Sequence, residues 1–339
     1  NPYDPCVANM ETKSGIQLTV VWHVDNLMAS CEDDFELTKF SCHMGRIYGP
    51  SLSMHLGRKH DYLGVDMEFC DNGALEVSMF KYLKNVIDEF PELIRGQAAT
   101  PAHEKLFVIR DEKEARRLNE EQALAFHHTV AQLLFMATRA RRDIQTAVVK
   151  YPDEDDWGKL KRVLKYLHST RYLRLTLSAD SLSNIVWYVD ASHQQHDDCK
   201  GHTGSILTFG RGATTSSSTK HKVPARSSCE NEIIGLYDKI SDVLWTRQFL
   251  EAQGYKINTN IVYQDNMSTL SLAKNGYISS SKWTKHIRLI YLKRRVLHLA
   301  GTKNSSWTDR CRKSGRFEIK RFQVLSTMIS MKHAVLSDC

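Results

Sequence analysis

Ile185-Val-Trp-Tyr-Val-Asp190 is a run of five apolar residues that ends on a carboxylate, and it decides how the second half of the chain folds. A short apolar run of this kind predicts a buried strand. Ile261-Val-Tyr-Gln-Asp265 has the same form. Further strands are predicted at 204–209, 213–219 and 296–300, and helical spacing at 228–252 and 267–275. The order βββαβαβ predicts a mixed sheet covered by helices.

Four carboxylates recur at defined places in this pattern. Asp190 and Asp265 end two of the strands, Glu232 lies one turn into the long helix, and Asp309 follows the last strand. A single acid at a strand end is more simply a solvated turn residue, but the order of all four favours a cluster. Clustered carboxylates repel one another unless cations hold them, and hard oxygen ligands suit Mg²⁺. Two such ions about 3.5–4 Å apart are the usual device for cleaving a phosphodiester.

Composition is that of a soluble globular protein, with 42% hydrophobic and 25% charged residues among 339. No apolar stretch reaches the length of about 18 residues that a membrane span needs. The eight cysteines are scattered without a CxxC pair, so a zinc site or disulfide framework is not expected. Free thiols indicate a reducing compartment, and we expect the cytoplasm or the nucleus. The N-terminus lacks an initiator Met and a signal-like apolar core, which predicts a piece of a longer polyprotein.

Positive charge is concentrated near the C-terminus. Residues 282–332 contain 14 Lys and Arg against two acids, although the whole chain has a net charge of only +7. A basic segment beside an acidic cluster is suited to binding a polyanion, because its Lys and Arg side chains can neutralise the phosphates on either side of the one at the cluster. A solvated basic tail is the alternative interpretation.

The first half predicts strands at 17–24, 27–30 and 61–69, and a hairpin turn at 71–73. Helices are predicted at 33–40, 78–90, 119–137 and 157–168, with a linker at 178–184. We expect four segments: a first one at 1–80, a helical one at 81–180, a third domain at 181–320, and a tail at 321–339.

The second half resembles the ribonuclease H domain of copia-type retrotransposon polyproteins. The similar stretches are Tyr188-Val-Asp-Ala-Ser, Lys200-Gly-His-Thr-Gly-Ser, Ser227-Ser-Cys-Glu-Asn-Glu-Ile, Tyr263-Gln-Asp-Asn-Met-Ser, Leu272-Ala-Lys-Asn-Gly and Thr284-Lys-His-Ile. The resemblance implies that Asp190, Glu232, Asp265 and Asp309 are the catalytic metal ligands, with Glu230 a close competitor of Glu232. Asp309 matches least, since only its Asp and a following Lys fit the family pattern.

The first half resembles the C-terminal part of the copia-type reverse transcriptase. His23-Val-Asp-Asn stands where that family carries Tyr-Val-Asp-Asp, and Tyr62-Leu-Gly resembles its primer-grip hairpin. Thr129-Val-Ala-Gln-Leu-Leu-Phe and Lys165-Tyr-Leu-His-Ser-Thr resemble thumb and connection segments. Asn26 replaces the second Asp of the motif beside Asp25, and the early strand and fingers are missing, so we expect no RNA-directed DNA polymerase activity. Arg142 stands where the family favours Pro, which indicates decay.

The fold class predicted is therefore α/β, an α+β palm and thumb remnant followed by a ribonuclease H-like mixed five-stranded sheet flanked by helices. The resemblance implies two Mg²⁺ ions, with Mn²⁺ as an alternative, and an RNA–DNA hybrid whose RNA strand is cut. Asn266 is expected to orient Asp265, and phosphate contacts are expected from Lys285, His286, Arg294 and Arg295. His286 has proton transfer as an alternative role.

Two further interpretations remain open at this stage. The chain is either a nuclease or a catalytically dead remnant that at most binds nucleic acid through its basic C-terminal block. Under either interpretation, the first half of the chain can serve as a structural platform for the hybrid. The oligomeric state is not indicated by the sequence.

Overall fold

The computed structural model describes residues 1–102, 106–107, 116–147, 153–275 and 316–321, and for 272–275 and 316–321 it describes the backbone. Within them the chain forms three sheets with helices packed on them. This confirms the predicted α/β class. No helix in the described part of the chain combines the length and apolar character that crossing a bilayer requires.

The first sheet is a three-stranded antiparallel meander. It consists of β1 (Val7–Glu11), β2 (Gln17–His23) and β3 (Asn26–Ser30). Helix α1 (Asp34–Tyr48) follows, because the Asp33 side chain accepts a hydrogen bond from the Phe35 backbone N and caps its first turn. The helix extends eight residues beyond the predicted end at residue 40, and Gly49 ends it with a φ of 62°.

The second sheet begins with a hairpin where the sequence predicted one strand at 61–69. The strands β4 (Lys59–Tyr62) and β5 (Val65–Phe69) pair antiparallel around Leu63 and Gly64, which have φ values of 55° and 75°. The single-strand prediction was therefore wrong. Strand β6 (Leu75–Ser78) continues the sheet.

Two later segments complete this second sheet. Strand β7 (Leu175–Ala179) pairs with β6, and β10 (Gly210–Arg211) pairs with β7. The predicted linker at 178–184 thus begins inside a strand. Since β10 lies at residues 210–211, the second sheet includes a strand from the segment 181–320 that was predicted as the third domain.

Three helices cover one face of the second sheet. They are α2 (Phe80–Glu89), α3 (Glu120–Ala137) and α4 (Glu154–Ser169). Their apolar stripes form one core with β5, β6 and β7, and its most buried members include Phe126, Leu133, Met136, Leu164 and Leu167. Burial of such side chains is worth about 1.5–3 kcal/mol each.

The third sheet has the order β11-β9-β8-β12-β13. Its strands are β8 (Asn184–Ser192), β9 (Lys200–Thr208), β11 (Thr215–Pro224), β12 (Thr259–Gln264) and β13 (Arg316–Arg321). Strands β8, β12 and β13 are parallel, and β9 runs antiparallel to both of its neighbours. This is the mixed five-stranded sheet that the sequence predicted. Its fifth strand is at 316–321, whereas the predicted strand at 296–300 lies outside the described residues.

Helix α5 (Ser228–Ala252) packs on one face of this sheet, and α6 (Met267–Asn275) follows β12. Both helices have the bounds that the sequence predicted. Every second residue of β8 and β9 is buried toward α5, as a half-covered sheet requires. Two glycines allow α5 to approach the sheet closely. A Cβ on Gly201 would lie 2.4 Å from Asn231 Oδ1, and one on Gly235 would lie 2.8 Å from Thr203 Oγ1.

Candidate metal centre

Asp190 and Asp265 are brought together by two parallel neighbouring strands. Asp190 is the seventh residue of β8, and Asp265 directly follows the last residue of β12. The last registered pair between these strands is Tyr188 with Tyr263, so both aspartates lie two residues further on, at the same level. The register of the two parallel strands thus places the two carboxylates side by side at one end of the sheet.

Glu232 reaches the same place from helix α5. Its Oε2 accepts a hydrogen bond of 3.0 Å from the backbone N of Ala191 and one of 2.9 Å from Nε2 of Gln264. Gln264 is fully buried, and its own Oε1 accepts a bond from the backbone N of Asn266. Glu232 is therefore fixed by one donor from each of the strands that carry the aspartates.

The three carboxylates form a compact group. Asp190, Glu232 and Asp265 each offer one oxygen that lies within 4.8 Å of the other two. Glu232 is buried, and the two aspartates are partly buried. Oδ1 of Asp265 is buried and has no hydrogen-bond partner. A buried carboxylate oxygen without a partner costs free energy unless a cation binds it.

The electrostatics of the group follow from this crowding. The pKa of Glu232 is raised to about 8, chiefly by burial and also by the charges of Asp190 and Asp265, while the hydrogen bonds from Gln264 and Ala191 oppose the shift. Burial also raises the pKa of Asp190, with the charge of Asp265 as the second cause. Glu232 therefore holds a proton at neutral pH that a bound cation would displace.

The donor set fits a divalent cation. All three side chains offer hard oxygen atoms, and the unpartnered Oδ1 of Asp265 belongs to the cluster itself. Such ligands suit Mg²⁺ or Mn²⁺ rather than a thiophilic ion. A site of this composition can therefore bind divalent ions.

Glu230, which was the alternative to Glu232 as a metal ligand, makes a different contact. Its Oε2 accepts a hydrogen bond of 2.7 Å from the backbone N of Arg226, and Ser227 Oγ accepts one from the Glu230 backbone N. This arrangement is a variant of a capping box at the start of α5, in which Glu230 accepts from the residue before the N-cap Ser227 instead of from Ser227 itself. Of the two glutamates, the structure brings Glu232 into the cluster.

Asn266 lies directly after Asp265 and caps helix α6. Its Oδ1 accepts a hydrogen bond of 3.0 Å from the backbone N of Thr269. The side chain that orients a carboxylate of the cluster is instead Gln264, which sequence reasoning missed. The signal available was its position, since a polar residue at a buried strand position next to a predicted ligand needs a polar partner.

A second set of missed residues lies behind Glu232. Asn231 is fully buried, accepts at Oδ1 from His221 Nδ1 at 2.9 Å, and is hydrogen-bonded through Nδ2 to His193 Nδ1. His221 is in turn bonded to Thr203 Oγ1 at 2.6 Å. This buried chain ties the first turn of α5 to β9 and β11, and so fixes the backbone beside Glu232.

Asp25 and Asn26, which we expected to form a degenerate polymerase motif, lie where β2 turns into β3 of the first sheet, whereas the carboxylate cluster lies at the third sheet. Asp25 is exposed in the turn between β2 and β3, and its Oδ1 is 3.5 Å from Nδ2 of Asn26. Among the residues that the structure describes, the carboxylate, His and Cys groups that could hold a metal ion are those of Asp190, Glu232 and Asp265. The remaining predicted site residues, Asp309, Lys285, His286, Arg294 and Arg295, lie outside the described residues.

The third sheet has the strand order and strand directions of a ribonuclease H-like fold. Homologues of the chain are the retrovirus-related Pol polyproteins of copia-type transposons, and the similarity covers most of its length. This confirms the family resemblance of the sequence motifs. No family model matches the chain.

Three relatives carry this result. The Pol polyprotein from transposon TNT 1-94 of Nicotiana tabacum is 24% identical over 298 residues, which are 85% of this chain and 22% of that protein. The Pol polyprotein from transposon RE2 of Arabidopsis thaliana is 27% identical over 68% of this chain and 16% of its own length. The putative transposon Ty5-1 protein of Saccharomyces cerevisiae is 25% identical over 58% of this chain and 64% of its own length. The chain thus spans about a fifth of the length of the first two relatives.

Two solved structures are also similar. A foamy viral protease-reverse transcriptase in complex with an RNA/DNA hybrid gives a TM-score of 0.49 at 12% identity, covering 90% of this chain and 36% of that one. LC11-RNase H1 in complex with an RNA/DNA hybrid gives a TM-score of 0.29 at 11% identity, covering 42% and 86%. Both scores lie below 0.5, so the fold assignment rests on the strand order and directions described above.

Proposed function

We propose that the chain is a retroelement-derived nuclease that cleaves the RNA strand of RNA–DNA hybrids with divalent ions, Mg²⁺ or Mn²⁺. The observation that carries this proposal is the convergence of Asp190, Glu232 and Asp265, with one buried oxygen of Asp265 unpartnered. Asp309 is proposed as the fourth ligand from its place in the sequence.

The residues of the cluster have distinct parts in this scheme. Divalent ions bound to such a site act as Lewis acids for in-line phosphodiester hydrolysis. Asp190 and Asp265 supply ligand oxygens from adjacent strands. Glu232 supplies a third, which Ala191 and Gln264 hold in position. Because Glu232 has a pKa of about 8 in the ion-free cluster, its carboxyl group gives up a proton when an ion binds.

An RNA–DNA hybrid is the proposed substrate because the homologues are Pol polyproteins of retrotransposons. Recognition of A-form geometry rests on shape and on 2′-hydroxyl contacts, so we expect little dependence on base sequence. The basic segment at 282–332, with Lys285, His286, Arg294 and Arg295, is proposed to contact phosphates.

Polymerase activity is proposed to be absent. Asn26 stands beside Asp25 where a second carboxylate would be needed to balance the charge of a metal ion. Asp25 is exposed and lies outside the carboxylate cluster of the described residues. This supports a structural role for the hairpin between β2 and β3.

The test is hybrid cleavage by the full chain with Mg²⁺, using Asp190→Asn and Asp265→Asn. Each substitution removes a ligand charge with little change in shape, and we expect activity to fall at least about a hundredfold. Asp25→Asn makes the same chemical change outside the cluster and should leave cleavage unchanged. Metal-dependent cleavage that survives both cluster substitutions would overturn the proposal. Hybrid binding by the wild type without any metal-dependent product would instead identify a non-catalytic remnant.

A further inference from the structure

Two arginines lie close together where the turn after helix α3 meets the edge of the third sheet. Burial lowers the pKa of Arg142 to about 10, and the nearby charge of Arg139 is the second cause. Within the described part of the chain neither guanidinium forms an ion pair with a carboxylate. The Arg139 guanidinium instead lies 3.6 Å from the centre of the Phe135 ring.

The neighbouring Arg141 shows what a structural arginine does in the same turn. Its guanidinium forms a two-point ion pair with Asp143, and two further bonds join it to Thr170 at the end of α4. Arg141 thus ties the turn to α4 without help from Arg142.

Arg142 keeps most of its hydrogen-bonding capacity free. Its Nη2 donates to the backbone O of Thr214 at 3.0 Å, whereas its Nε is buried and has no partner. A guanidinium has five N–H donors. A half-buried cation beside a second cation, with unused donors and no carboxylate, costs free energy that a bound anion would offset.

The turn that carries Arg139 and Arg142 contacts the same sheet that carries the carboxylate cluster. After Arg142, Gln145 donates to the backbone O of Ser216 at 3.0 Å, and the hydroxyls of Thr146 and Ser218 are 3.1 Å apart. The turn therefore contacts β11 at every second residue, along the edge of the sheet formed by the described strands.

Strand register links this edge to Asp190. Ser218 is paired with Gly204, and Gly204 is paired with Asp190, so the three form one row across the sheet. Two strand spacings place Ser218 about 10 Å from Asp190, and Thr214 lies about 14 Å further along β11. Thr214, whose backbone O accepts from Arg142, is therefore about 17 Å from the cluster, a span of about five nucleotide steps at about 3.4 Å each.

We propose that Arg142 and Arg139, with the hydroxyls of Thr146 and Ser218, bind backbone phosphates of the nucleic acid that the carboxylate cluster cleaves. This inference rests on the function proposed above. A guanidinium can donate two parallel hydrogen bonds to a phosphate, and such contacts are independent of base sequence. Arg142, which as a departure from the family pattern indicated decay, is here a nucleic-acid-binding residue.

The experiment measures binding of a labelled RNA–DNA hybrid by fluorescence anisotropy with EDTA present, over a series of salt concentrations. For Arg142→Gln we expect about tenfold weaker binding, and a slope of log K against log salt that is smaller by about one. Arg174→Gln is the matched control, because Arg174 is ion-paired with Glu68 and Glu76 on the second sheet. Its salt slope should equal that of the wild type.

Arg142→Lys separates charge from folding, since it keeps the cation and loses the forked donors. It should retain the wild-type salt slope, with circular dichroism and the melting temperature reporting on the fold of each variant. A wild-type slope in Arg142→Gln, or equal losses in the Gln and Lys variants, would overturn the inference. So would inorganic phosphate binding that Arg142→Gln abolishes while hybrid affinity is unchanged.

Failure of this inference can be told apart from failure of the proposed function. Asp190→Asn should lose cleavage and keep hybrid binding in EDTA. If it does so while Arg142→Gln binds normally, the nuclease proposal stands and the phosphate site is wrong. If Asp190→Asn still cleaves, the nuclease proposal is wrong whatever Arg142→Gln does.

Discussion

Gln264 Nε2 donates a hydrogen bond of 2.9 Å to Glu232 Oε2 inside the buried part of the carboxylate cluster. The amide lies on β12 next to Asp265, and the carboxylate lies on α5, so this bond joins the strand to the helix. The same oxygen of Glu232 also accepts from the backbone of Ala191. Gln264 therefore orients Glu232, a proposed metal ligand, without being a ligand of the described cluster itself.

We expect Gln264→Leu to weaken Mg²⁺ binding by about tenfold, because loss of a residue that orients a ligand typically costs 10–100-fold in affinity. The substitution removes a hydrogen bond that opposes the raised pKa of Glu232, so binding should also require higher pH. Calorimetric titration of Mg²⁺ checks both effects. Gln253→Leu is the control, since it changes another buried glutamine at the far end of α5. Equal affinities in Gln264→Leu and wild type would contradict the role of Gln264.

Metal affinity should rise with pH across the neutral range. Burial raises the pKa of Glu232 to about 8, so the ion-free protein holds a proton there below pH 8 that an ion must displace. The apparent affinity should then increase by up to about tenfold per pH unit below that value. Proton release on Mg²⁺ binding, measured calorimetrically in buffers of different ionisation enthalpy, checks this. Glu232→Gln should release less, and a pH-independent wild-type affinity would contradict the expectation.

The same shift has a consequence for the stability of the ion-free protein. Because the folded-state pKa of Glu232 is raised above its ordinary value of 4.5, the folded state binds more protons than the unfolded state between these two values. Stability from this group is therefore present below about pH 4.5 and is lost as pH rises through about 8. We expect the midpoint of urea unfolding in EDTA to fall over this window, and to fall less in Glu232→Gln.

His202 should have the opposite effect on how stability depends on pH. Its pKa is lowered to about 4, chiefly by burial and also by the charges of His196 and His221. The unfolded state then binds more protons between about pH 6.5 and 4, so the stability that His202 contributes is present above pH 6.5 and lost below it. The melting temperature should fall with acidification in this window, and by less in His202→Gln. Identical pH profiles for the two proteins would contradict this. His202 is bonded to His196 and to Ser218, so the profile also reports on the edge that Arg142 contacts.

The sequence anticipated elements whose ends have local signals. Helix α5 has the predicted bounds because Ser227 caps it and Gly254, with a φ of 95°, follows it. The strand pattern missed the hairpin at Leu63, because a leucine with positive φ is uncommon and the apolar residues on both sides of the turn suggest one continuous strand. Only the resemblance of Tyr62-Leu-Gly to a primer-grip hairpin indicated this turn.

The candidate site likewise contains features that have a local sequence signal and features that depend on tertiary contacts. Asp190 and Asp265 could be paired from the sequence because strand ends in a parallel pair meet at one edge. The partners of Glu232 could not be, since Gln264 and the Asn231–His221 contact depend on how closely α5 approaches the sheet. Arg142 was interpreted as a loss for a similar reason. Its contact with Thr214 joins residues 72 positions apart, which no motif reveals.

The close approach of α5 to the sheet can be tested at Gly235. A Cβ there would lie 2.8 Å from Thr203 Oγ1 and 3.2 Å from the Cβ of Ala191, the residue whose backbone N holds Glu232. Gly235→Ala should push α5 outward, destabilise the protein by about 1–3 kcal/mol, and weaken Mg²⁺ binding together with hybrid cleavage. Urea unfolding and calorimetry measure the two effects on one sample.

Gly158→Ala is the matched control for this substitution. Gly158 lies inside α4, and a Cβ there meets nothing within 4 Å. Because alanine is the better helix former, this variant should gain about 0.5–1 kcal/mol and leave Mg²⁺ binding unchanged. If Gly235→Ala were as stable as Gly158→Ala, α5 would not be held against the sheet by close packing. The position of Glu232 would then depend on its hydrogen bonds to Ala191 and Gln264 alone.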